Sequence, residues 1–156
     1  MNGTAIPSQW DAGSEPVGVP LDLAERTGAV RLMRLALESV QGVELPAKHF
    51  KASPEDAMYS FPVVLTAVSY ALARGVWDGA RIEACIGAQP DFRYLCGGRG
   101  MDSRTLTTFL EVHRSLVREV LTRIFVGATG HPASVIAAQV EVRLTRASDL
   151  ELPLAA

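Results

Sequence analysis

The middle of this 156-residue sequence concentrates guanidinium groups. Between residues 61 and 130, eight arginines stand against six carboxylates, and no lysine occurs there. An arginine fork matches phosphate and carboxylate oxygens with two parallel hydrogen bonds, so such a run points to a polyanion as ligand. Arg104, Thr107, Thr108, Glu111, Arg114 and Arg118 recur at helical spacing opposite an apolar stripe, and Arg81, Arg93 and Arg99 precede them on shorter segments. A helix-turn-helix unit is laid out in this way. The first turns of its second helix enter the major groove of double-stranded DNA, while flanking arginines and helix N-termini hold phosphates. On this reading Arg104, Thr107, Thr108, Glu111 and Arg114 lie nearest the bases, and Arg81, Arg93 and Arg99 act on the backbone.

Other chemistries find less support. His113 lies on the apolar stripe, where a lone histidine is ordinarily a packing residue, and His49 and His131 have no carboxylate or cysteine at ligand spacing. Cys85 and Cys96 form no Cys-x-x-Cys unit and read as reduced core residues. The turn Gly97-Gly98-Arg99-Gly100 offers backbone amides to a phosphate but lacks the Lys and Ser/Thr of a nucleotide loop, so it reads first as a helix C-cap. Trp77 reads as a hydrophobic staple before a helix, and Glu55 and Asp56 as first-turn charges of a helix begun at Ser53 and Pro54. No nucleophile, base and orienter assemble, and neither metal nor cofactor is expected.

The elements that would position the arginines follow from apolar periodicity and punctuation. Residues 22–40 repeat apolar positions at three- and four-residue steps, weakened by Gly28 and ended by Gly42. After a connector, residues 61–74 are apolar on nearly every side, entered through Pro62 and stopped by Gly75, which predicts the buried central helix. Asp78 caps a helix to about residue 86, Pro90 starts a short one to 96, and Asp102 or Ser103 caps the longest stripe, residues 103–125, closed by Gly127. Residues 131–144 predict a further helix from Pro132, against a strand-like alternation at Val140, Val142 and Leu144. The expectation is an all-α bundle of five or six helices: a flexible arm over residues 1–20, one helical domain over 21–145 and a tail over 146–156.

The ordered features from residue 54 to 125 resemble the amino-terminal domain of bacterial insertion-sequence transposases. An apolar helix with Tyr70 and Gly75 leads to Arg81-Ile82-Glu83. Then come Phe92-Arg93-Tyr94-Leu95, a glycine pair, and an Asp102-capped helix with Thr105, Leu106, Phe109 and His113. The resemblance implies a DNA-binding helical domain. Two departures qualify it: Thr108 and Leu110 flank Phe109 where the family carries a basic residue, and no Asp-Gly-Thr-like catalytic strand follows residue 125. A non-catalytic, transposase-like regulator or transposon remnant, working as a homo-oligomer, is the expectation.

Total charge tempers it. Fifteen basic against seventeen acidic residues leave −2, without the basic excess of an autonomous DNA binder, so a protein-interaction or dimerisation module that keeps the scaffold is the alternative. The longest apolar stretch, 13 residues from 61 to 73, falls short of the roughly 20 needed to cross a bilayer. With no basic leader followed by an apolar run, the sequence predicts no secretory signal, no membrane partner and a cytoplasmic setting.

Overall fold

The computed structural model describes residues 28–76 and 78–151, with side chains as far as residue 145; the arm expected at 1–20, the start of the first predicted helix and Trp77 lie outside the described residues. Within them the chain is all-α apart from one two-stranded sheet. In order run α1 (Ala29–Gln41), β1 (His49–Phe50), β2 (Tyr59–Ser60), α2 (Phe61–Ala73), α3 (Gly79–Ala88), α4 (Pro90–Leu95), α5 (Ser103–Val112), α6 (Arg114–Thr129) and α7 (Ala133–Glu151). The expected bundle is present, with seven helices among the described residues.

Because α2 has no polar face, it can be stable only when surrounded, and eleven of its residues are buried. Helices α1, α4, α5 and α6 and both strands pack around it. Thr66, mid-helix and buried, satisfies its hydroxyl by donating back to the Pro62 carbonyl at 2.7 Å. The sheet pairs His49 with Ser60 and Phe50 with Tyr59 in antiparallel register, and the Phe61 amide donates to Lys48 O at 2.9 Å, so the chain enters α2 straight from the hairpin. Where the connector was read as starting a helix, Ser53, Glu55 and Asp56 close a turn instead: the Ser53 hydroxyl meets both carboxylates at 3.0 Å.

Caps fall where the sequence places them. Asp78 accepts from the Arg81 amide and Asp102 from the Thr105 amide, at 2.9 and 2.8 Å. Helix α1 begins just after Gly28, whose φ of 91° is outside helical geometry, and buries Leu32, Ala36 and Val40 at successive i+4 steps. Helix α7 settles the ambiguity of residues 131–144 in favour of helix, burying Ile136, Val140 and Leu144, and it continues to Glu151 through residues where the sequence shows no clear pattern.

The long stripe over 103–125 does not stay one helix. It divides at His113, whose φ and ψ of −113° and 33° leave helical geometry, and α6 then runs past Gly127 to Thr129 before the left-handed Gly130. Apolar spacing is preserved across the break, so periodicity alone does not register it. The two halves serve different neighbours: α5 packs chiefly on α3, and α6 on α1, α2 and α7. Gly127 is a close-approach position rather than a stop, since a Cβ there would lie 2.7 Å from Leu35 Cδ2 on α1.

Gly79 makes the corresponding approach between α3 and α5. A Cβ at this buried position would press on Thr107 and come within 2.8 Å of the Ser103 carbonyl oxygen, backbone that cannot swing aside. Gly79→Ala should therefore destabilise the fold by roughly 1–3 kcal/mol, although alanine is the better helix former. Chemical denaturation reads this directly, and an unchanged or raised midpoint would contradict so close a crossing.

Candidate nucleic-acid interface

The crossing at Gly79 brings the first turns of α3 and α5 together, as a reading helix and its support require. Two leading amides of α5, however, are already committed. Glu83 Oε1 accepts from the Ser103 amide at 3.1 Å, and Asp102 caps the Thr105 amide, an arrangement that holds the Asp102 carboxyl below the usual carboxylate range. The helix dipole that would draw a phosphate is thus occupied by the chain's own carboxylates. Asp56 from the connector faces Arg104 at 3.6 Å, and Asp78 faces Arg81 at the same distance. Thr107 is half-buried against Gly79 and does not project outward, whereas Thr108 is half-buried and Glu111 exposed.

Further along, Arg114 and Arg118 converge on one carboxylate. Arg114 reaches Glu141 Oε2 on α7 at 2.7 Å and the Leu144 carbonyl at 3.2 Å, and Arg118 reaches Glu141 Oε1 at 3.1 Å. Hydrogen bonds from Arg114 and then Arg118 lower the Glu141 pKa. Two of the residues predicted to contact DNA therefore fasten α6 to α7. A third arginine on this seam points inward: Arg143 is buried, donates to the Leu72 carbonyl at 3.0 Å and lies over the Phe125 ring.

Arg93 and Arg99 are exposed on α4 and on the turn after it. The guanidinium of Arg99 covers the Tyr59 ring at 4.1 Å, and Tyr94 stands beside Arg93, largely exposed. The glycine turn is a cap and not a phosphate cradle. Gly97 and Gly98, with φ of 64° and 81°, send their amides to the Tyr94 and Arg93 carbonyls, and the Arg99 amide goes to Cys96.

Two polar arrangements escape sequence reading. At the end of α2 the Tyr70 hydroxyl and the Arg74 guanidinium both donate to Asp91 Oδ2, which ties α2 to the start of α4. Burial, then the bond to Asp91, pushes the Tyr70 phenol well above its ordinary range. The helical i, i+4 spacing of Tyr70 and Arg74 was available as a signal, but Asp91 carries no mark that it meets them. The other lies at the helix break: His113 is the packing residue its place on the apolar stripe predicts, but its partners come partly from other segments, Phe61, Phe109 and Phe50 at 4.8, 5.0 and 5.7 Å between centroids. An open cleft of about 510 Å³, with Glu44 and Glu119 among its walls, lies over His113.

Among the described residues no group of three or more His, Cys, Asp or Glu is placed to hold a metal ion, and no helix is long and apolar enough to cross a membrane. Neither cysteine is in a disulfide; burial raises the thiol of Cys96 to about 11, and it pushes that of Cys85 upward as well. Comparisons with protein-family models, curated proteins and solved structures return no match.

Desolvation lowers the His113 pKa below its ordinary 6.5. Between the lowered folded value and 6.5 the unfolded chain binds a proton that the folded chain refuses. The stability due to neutral His113 is therefore complete above about 6.5 and is lost as pH falls toward the folded value. Urea midpoints at neutral and mildly acidic pH should differ less in His113→Phe than in the parent. An equal difference would show that this ring does not set the dependence.

Proposed function

We propose that this chain is a protein-interaction module on a transposase-like helical scaffold, and that α7 is its contact face. One observation carries the reading: from Ala133 to Val142 the exposed positions of α7 are Ala133, Ser134, Val135, Ala137, Ala138 and Val142, none of them charged. Up to residue 145 the only ionisable side chains of α7 are Glu141, clamped by Arg114 and Arg118, and Arg143, turned into the core. Val135 and Val142 remain about half exposed. A helix whose outer side is largely uncharged and whose ionisable groups are already bonded to neighbouring helices gains by being covered. The residues that carry the transposase resemblance support a shared scaffold more than a shared ligand, since Phe92, Leu95, Leu106 and Phe109 are all buried.

Double-stranded DNA is the second reading, and it keeps support from Arg81, Arg93, Arg99 and Arg104, all exposed. The carboxylate contacts of Arg81 and Arg104 are loose, 3.6 Å from strongly exposed guanidiniums to largely covered carboxylates, so each guanidinium keeps surface that a phosphate can reach. On this reading Glu141→Gln releases two guanidiniums, and DNA affinity rises with a steeper dependence on salt.

A photo-crosslinking residue placed at Val135 or at Arg104 in the full chain separates the two in cells. The interaction reading expects protein adducts at Val135 and no nucleic-acid adduct at Arg104. Nucleic-acid adducts at Arg104 with none to protein at Val135 would overturn it in favour of DNA.

A further inference from the structure

The α7 face continues into a groove. Between α6 and α7 lies a furrow of about 760 Å³ with Val126, Gly127, Ala133 and Ala137 on its apolar walls and Arg118 and Arg123 among its polar ones. It follows α6 from Ser115 to Gly127, roughly 18 Å at helical rise, the length of about three turns of helix. Small side chains on the α7 wall leave room for an incoming backbone, and apolar walls favour an apolar stripe at i, i+3 and i+4.

Charge around the groove selects the occupant. Arg118 and Arg123 line it, Arg31 donates to the carbonyl of Gly127 at 3.1 Å, and Arg114 shares Glu141 with Arg118. Against these four cations stand Glu119 and Glu141. Arg118 and Arg123 keep close to half of their side-chain surface, so their remaining donors can meet an incoming carboxylate. A second copy of this chain presenting α7 would bring over residues 133–142 a single carboxylate, Glu141, already held by Arg114 and Arg118, and would leave that excess unanswered. We propose that the groove receives an amphipathic helix of a partner protein, apolar on its inner stripe and acidic along its flanks. This rests on the interaction reading and specifies the partner's chemistry.

The probe is a fluorescent peptide of about 18 residues with leucines at helical spacing and glutamates on both flanks, beside the same peptide with lysines in place of the glutamates. Measured by anisotropy with the full chain, the acidic peptide should bind and the lysine version should bind at least about tenfold more weakly, a difference that shrinks as salt is raised. Ala137→Trp, at an exposed position that fills the groove without touching the core, should abolish binding with the thermal midpoint unchanged, and Arg118→Gln with Arg123→Gln should weaken it about tenfold. Equal binding of the two peptides, or binding indifferent to Ala137→Trp, would overturn the assignment. So would self-association lost in Ala137→Trp with neither peptide bound, which makes a second copy the occupant. If neither peptide binds while protein adducts form at Val135, the groove is misassigned and the interaction reading stands; if both fail, the reading falls with it.

Discussion

A helix that is apolar on every side has to be enclosed on every side, and the rest of this molecule answers that requirement. Around α2, each neighbour contributes an apolar stripe: Leu32, Ala36 and Val40 from α1, Leu106, Phe109 and Leu110 from α5, Val117, Val120, Leu121 and Ile124 from α6. Enclosure also fixes where polar groups end. Thr66 bonds back along its own helix, and Tyr70 with Arg74 meets Asp91, a carboxylate that joins the end of α2 to α4. Burying a polar group unpaired costs more than any of these contacts contributes, so Thr66 is answered within its own helix and Tyr70 and Arg74 by a neighbouring one.

The same economy decides what the arginines do. Holding amphipathic helices against a common centre leaves their polar flanks facing each other, and guanidinium groups close those seams because one fork can reach a carboxylate and a carbonyl at once. Arg114 does this across α6 and α7, and Arg143 reaches from α7 to the Leu72 carbonyl at the end of α2. Along α6, Arg114, Arg118 and Arg123 thus each already hold a carboxylate, with Arg118 and Arg123 still about half exposed. The surface that remains uncommitted on α7 is apolar, which is why the functional reading moves from the arginines to the helix that receives them.

Much of the fold was legible. Apolar periodicity, Asp78 and Asp102 as caps, Pro62 and Pro90 at helix starts and Gly42 and Gly75 at helix ends are local signals, and local signals act through neighbours within a turn. The break at His113 was not legible, because spacing is the same on both sides of it and what differs is the partner each half meets. The candidate site was the least legible part. Whether Arg118 faces solvent or Glu141 depends on a residue 23 positions away on another helix, and no pattern along the chain encodes that meeting. Thr107 shows the same limit: its helical phase places it outward, and only the approach of Gly79 turns that side of α5 into a contact.

Amide hydrogen exchange of the full chain, with and without duplex DNA at near-physiological salt, tests most directly whether the arginines are spent on the fold. DNA should leave exchange unchanged over residues 79–112, because the Ser103 and Thr105 amides at the start of α5 are held by Glu83 and Asp102, while Arg114 and Arg118 of α6 are bonded to Glu141. New protection concentrated in the first turns of α3 and α5 would contradict it.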